Sequence, residues 1–118
     1  MINYAIGAAG IIELEVSGEI TRDEILAVWA RIDADLPATG KIKLIEIIGP
    51  IEGIELAAMW EDFKHGLPMM ARISHAAIVA DQRWITAISN VAGAFTSAEI
   101  RTFGRDDVAA ARAWIAAA

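Results

Sequence analysis

The chain has no cysteine, which removes disulfides, iron–sulfur clusters, thiolate zinc sites and thiol catalysis at a stroke. Proline is scarce, at three in 118 residues, and no linker, low-complexity segment or charge block interrupts the chain. No apolar run approaches the ~20 residues that a membrane-spanning helix needs. The opening MINYAIGAAG has neither the basic flank nor the apolar stretch of a secretion signal. Positive charge is thin as well. Ten Lys and Arg stand against sixteen Asp and Glu, for a net charge of −6 and a pI near 4.8. Those basic residues are scattered, whereas nucleic acids and anionic membrane surfaces are bound by clusters that displace counterions. The expectation is a soluble cytoplasmic protein that neither binds nucleic acid nor inserts into a membrane.

What the chain has in plenty is apolar surface. The hydrophobic fraction is 56%, above the usual ~45–50%. Alanine supplies much of the excess, and isoleucine with four tryptophans supplies most of the rest. At this length residues 1–118 form a single domain with a real core. Apolar area beyond the needs of that core fits a dimer face or a lipophilic pocket.

In chain order, Ile2 to Ala8 and Ile11 to Ser17 read as two strands split by Ala9-Gly10, an N-terminal hairpin. In the second, Ile12, Leu14 and Val16 alternate with Ile11, Glu13 and Glu15. Thr21 and Glu24 then form a capping box, with Ile20 and Ile25 at the staple positions. Ile25, Val28, Trp29, Ile32 and Leu36 make one stripe of the helix that follows, and Pro37 and Gly40 stop it. Lys41 to Ile48 is a β-branched run suited to a central strand, and Gly49 to Gly53 reads as a loop. A second helix, about residues 54–65, carries Leu56, Trp60 and Phe63 on one face. Gly66 suits its C-terminal cap, and Pro68 is expected to end it.

The stretch RISHAAIVADQRWITAISNVAGAF organises the second half. Ile73 to Ala80 is a buried strand, Asp81 an N-cap, and Trp84, Ile88, Val91 and Phe95 the inner stripe of a third helix. Ala98 to Phe103 is the last strand. Asp106 and Asp107 start a final helix with Val108, Ala111, Trp114 and Ile115 inward. The order predicts an α/β fold: a mixed five-stranded sheet, an N-terminal hairpin followed by βα units, packed with four helices.

Catalytic chemistry finds little support. There is no Walker or dinucleotide fingerprint, and carboxylates at the helix starts (Asp23, Glu24, Glu52, Glu55, Asp81, Asp106, Asp107) would repel an anion there. Glu61 and His65, at i and i+4, share a helix face and could supply two metal ligands, but two do not make a site. The plainer reading of His65 is a solvated side chain near a helix C-terminus. His75 reads as a hydrogen-bonded strand residue rather than a base. Ser17, Ser74, Ser89 and Ser97 are in no Gly-x-Ser-x-Gly elbow. The expectation is no catalytic residue, no metal, no cofactor and no enzyme.

Several segments resemble the SpoIIAA-like family of small STAS-type proteins. They are the opening hairpin, GIELAAMWEDFKHG with Trp60, ISHAAIVAD followed by Trp84, AEIRTF, and a closing helix ending in Ala113-Trp114-Ile115. The resemblance spans nearly the whole chain and implies the fold of the anti-sigma-factor antagonists, related more loosely to CRAL-TRIO lipid-transfer domains. In the sporulation antagonists a phosphorylatable serine begins the helix after the central strand. Here that region is Gly49 to Glu55, GPIEGIE, which has no hydroxyl, so the phospho-switch cannot operate at that position.

The functional expectation is a non-enzymatic binding or interaction module, homodimeric, with a protein partner. The alternative is a carrier or sensor of a small lipophilic molecule, held between the second and third helices. Candidate lining residues for that pocket are Trp60, Phe63, His65, Leu67, Met69, Met70, Asp81, Arg83, Trp84 and Ile88. The apolar connector Leu67 to Met70 would serve as its lid.

Overall fold

Strand pairing follows the apolar alternation of the sequence. The computed structural model describes residues 1–36, 40–86 and 98–118, other than the side chains of Ala8, Leu56, Phe63, Leu67 and Met70. In it β1 (Ile2–Ile6) and β2 (Ile12–Ile20) form the antiparallel hairpin. Strands β3 (Ile42–Ile54), β4 (Ile73–Val79) and β5 (Glu99–Phe103) then add in parallel, so the sheet order is β1-β2-β3-β4-β5. Helix α1 (Arg22–Asp35) joins β2 to β3, and α2 (Leu56–Met70) joins β3 to β4. Helix α3, described over residues 82–86, follows β4, and α4 (Val108–Ala117) follows β5. The predicted five-stranded mixed sheet with four helices is the observed fold. The expected stop at Pro37 and the stripe residues Ile88, Val91 and Phe95 lie outside the described residues.

Local chemistry sets the helix starts. At α1 the Thr21 hydroxyl accepts from the Glu24 amide at 3.3 Å, and the Glu24 carboxylate accepts from the Thr21 amide at 3.1 Å. That bond to the Thr21 backbone is the main reason the Glu24 carboxyl titrates below its usual range. At α3 one oxygen of Asp81 accepts from the amides of Arg83 and Trp84, both at 3.1 Å, as an N-cap should.

Two elements run further than the sequence suggests. Strand β3 continues through Gly49 and Pro50 to Ile54, where a loop was expected. Its pairing with β4 ends at Ile47, so beyond that point β3 has only β2 beside it. Proline has no N–H to give a second neighbour and is tolerated there, while the β2 register shifts on either side of Gly18. Helix α2 likewise passes Gly66 and Pro68 and ends at Met70. A proline this late removes one hydrogen bond of the last turn, which the packing of that turn offsets. Leu67 to Met70 is therefore helix rather than a connecting loop, and Met69 packs with Ile12, Ile32 and Ile42.

The two faces of the sheet receive different covers. Alternate residues of β3 point opposite ways. Ile45 joins Ala77, Val79, Ala111 and Ile115 in a cluster under α4. Ile42 and Leu44 face α1 and α2, and Ile48 meets Trp84 and Ile85 of α3. Of the four tryptophans that the sequence places on helix stripes, Trp29, Trp84 and Trp114 are half-buried, and Trp60 is 59% exposed. The stripe of α2 that turns inward carries Ala58 instead, at 1% exposure, which puts Trp60 on the outside.

Candidate functional site

An apolar cavity opens between α1, α2 and the sheet face that they cover. Its first lobe holds about 450 Å³. The lining comprises Leu14 and Val16 of β2, Ile25, Val28 and Trp29 of α1, and Ile48 and Ile51 of β3. Ala58 and Met59 of α2 and Trp84 of α3 also line it. A second lobe of about 320 Å³ shares Leu14, Trp29, Ile32, Glu46 and Asp62 with the first and extends to Gly66, Met69 and Ile73. Ile54 and Met59 line the first lobe and are also 40% and 54% exposed, so they mark its mouth.

Two carboxyls interrupt this apolar lining at the junction of the lobes. Glu46 stands on β3, the middle strand, and pairs in register with Leu14 of β2 and Ile78 of β4. Neither neighbour offers a polar side chain, and among the described residues none hydrogen-bonds to its half-buried carboxyl. No sealed side-chain oxygen lacks a partner among the described residues, so the Glu46 oxygens open onto the cavity. Burial, and then the nearby Asp62 carboxylate, push the Glu46 carboxyl up to about 7.

Asp62 of α2 sits at the rim. The residue has an exposed side, yet crowding by protein is the main influence on its carboxyl and raises its pKa. Two contacts oppose that rise. The Trp29 indole donates to one Asp62 oxygen at 3.1 Å, and His65 lies close enough to favour the charge. The His65 ring stacks on Trp29, with centroids 5.6 Å apart and planes at 20°. Trp29 is thus held between a carboxylate at its N–H and an imidazole on its face, and forms a wall between the lobes and the outside.

The residues expected to line a pocket are only partly brought together. Trp84 lines the first lobe and Met69 the second. Asp81 and Arg83 meet Trp84, Pro50 and Ile51 at a separate, polar depression. His65 touches the cavity through Trp29, whereas Trp60 points outward. The side chains of Phe63, Leu67 and Met70, and Ile88 altogether, lie outside the described residues. The suggested Glu61–His65 metal pair is otherwise engaged. The Glu61 carboxylate faces Arg22 at 3.6 Å and Lys64 at 3.3 Å, and His65 uses Nδ1 on the Glu61 carbonyl.

Sequence reasoning passed over Glu46, Asp62 and the part played by α1. One signal was there. A strand at the centre of a parallel sheet is covered on both faces, so an acid within KIKLIEII has no solvent-facing side to occupy.

The SpoIIAA-like family model matches residues 11–116. The chain belongs to the SpoIIAA-like family. A crystal structure of an uncharacterized protein of the DUF3478 family from Shewanella loihica PV-4, described as having a SpoIIAA-like fold, superposes with a TM-score of 0.79. The match covers 98% of this chain and 92% of that one at 22% identity, and so speaks for the fold. No curated protein matches the chain. In this SpoIIAA-like domain the turn into α2 is Glu55-Leu56, and the Glu55 carboxylate accepts from the Arg22 amide at 2.9 Å. The acid that precedes α2 thus serves the first turn of α1. Among the described residues no helix is long and apolar enough to cross a membrane.

Proposed function

We propose that this SpoIIAA-like domain is a non-enzymatic binding module whose sheet–helix cavity takes up a small lipophilic molecule. One observation carries the reading: a cavity of about 450 Å³ whose described lining is mostly isoleucine, leucine, valine and tryptophan. A volume of that size is within the ~300–1,000 Å³ of ligand sites, and packed cores leave few voids larger than a water. The cavity lies between α1, α2 and the sheet, and its second lobe reaches Met69. The reading includes self-association through the outer side of α2, supported by the exposure of Met59 and Trp60 at 54% and 59%.

Native mass spectrometry after incubation with decanol addresses both parts. The expected result is a dimer that retains one alcohol per subunit and shows altered tryptophan emission, since Trp29 and Trp84 line the void. A monomer at tens of micromolar removes the dimer, and absence of any bound alcohol removes the binding role.

A further inference from the structure

The two carboxyls make a poor cavity for a fatty acid and a good one for its opposite. We propose that the preferred occupant of the cavity is a lipophilic amine: an apolar body with one cationic nitrogen, which is held by Glu46 and faced by Asp62. The proposal rests on the binding role just given and names the ligand class.

The geometry supports it in three steps. First, Glu46 projects from the apolar face of the middle strand between Leu14 and Ile78 and hydrogen-bonds to no described residue. A carboxyl in such surroundings is costly unless a donor or a cation meets it. Second, no described residue places a cationic group inside the lobes; the nearest imidazole, His65, sits behind Trp29 and acts on Asp62. No Lys, Arg or His is among the described lining residues of either lobe. Arg22 and Lys64, the basic side chains around the start and middle of α2, face Glu61 instead. Third, Asp62 presents a second carboxylate from the opposite wall, with one oxygen on the Trp29 N–H. The elements packed around Glu46 otherwise offer Leu14 from β2, Ile78 from β4 and Ile32 from α1, none of them titratable. The balance at the centre of the void is negative.

An ammonium head placed there would hydrogen-bond to Glu46, relieve its repulsion with Asp62, and leave its alkyl part in the lobes. A carboxylate head would add a third negative charge, and a hydroxyl would satisfy one lone pair without offsetting the charge. Binding of the ammonium favours the ionised carboxylate of Glu46 over its protonated form. No covalent step is involved.

The test is displacement of a neutral naphthylamine dye by three ligands that share a ten-carbon chain: decylamine, decanol and decanoate. Wild type is compared with Glu46→Gln and Asp62→Asn, each first shown to unfold cooperatively in urea. The expected order is decylamine over decanol by at least about tenfold, as one charge-assisted bond allows, with decanoate weakest. Glu46→Gln should erase the amine preference while decanol still displaces the dye, and Asp62→Asn should reduce it by a smaller factor. Equal displacement by the three ligands, or an unchanged amine preference in Glu46→Gln, overturns this proposal and leaves the lipophilic cavity standing. Displacement by none of them overturns the cavity reading and this proposal together.

Discussion

The two faces of one sheet differ in how they are finished. Under α4, Ile45, Ala77, Val79, Ala111 and Ile115 are all 2% exposed or less and carry no polar atom in their side chains. On the other face, β3 shifted by a single residue puts Glu46 into a hollow. Both faces belong to the same strands, so the difference cannot come from the backbone. It comes from side-chain choice at alternate positions: one set fills the space to native density, and the other leaves room and a charge. The first face is a closed apolar layer, and the second combines its own buried clusters with a hollow that holds a carboxyl.

The largest test of that division is a matched pair. Ile45→Ala on the packed face should cost ~3–5 kcal/mol, because a full cavity must be opened. Ile48→Ala, on the same strand but lining the hollow, should cost ~2 kcal/mol or less, since part of its contact shell is already missing. Urea melts of the two variants decide the matter, and equal losses would break the comparison.

Next in size is the charge. The Glu46 carboxyl is raised from 4.5 to about 7 on folding, so between those pH values the folded protein keeps a proton that the unfolded chain has released. Stability from this group is greatest below about pH 4.5, falls as pH rises to about 7, and is level beyond. Every tenfold gain in proton affinity on folding is worth about 1.4 kcal/mol, so Glu46→Gln should be more stable than wild type by up to ~3 kcal/mol at pH 8. The gain should vanish near pH 4. A constant difference across that range would mean that Glu46 is ionised throughout.

The smallest expected effect concerns enlargement. Ala58 is 1% exposed and lines the first lobe, so Ala58→Leu can extend into space and should stay within ~1 kcal/mol of wild type. Ala77→Leu, at a site with 0% exposure under α4, should lose ~1–3 kcal/mol by overpacking. Thermal melts compare them, and Ala58→Leu should also weaken decanol binding by filling the lobe.

Much of this fold was legible because its local signals agree with its packing. The capping box at Thr21, the N-cap at Asp81, the alternation of Ile12, Leu14 and Val16, and the stripe of α4 all mark elements that the structure contains. The departures have a common origin. Pro50 and Pro68 carry strong local penalties, and each sits where one hydrogen bond is dispensable, at a one-sided stretch of strand and in a last helical turn. Reading them as stops shortened β3 and α2 and turned Met69 into loop. The site was less legible than the fold. Apolar periodicity locates walls but not the gap between them, and Glu46 looked like one acid among sixteen acidic residues until its register with Leu14 and Ile78 placed it inside.

The α4 cover has a consequence in time. Among the described residues, three helices share one side of the sheet, while the other side is covered by α4, Val108–Ala117. During synthesis β2 through β5 leave the ribosome before α4 does. For that interval a nascent sheet would present Ile45, Ala77 and Val79 to solvent with nothing yet made to shield them. Docking of α4 covers this surface, and any delay in it leaves open a patch prone to clumping with its neighbours.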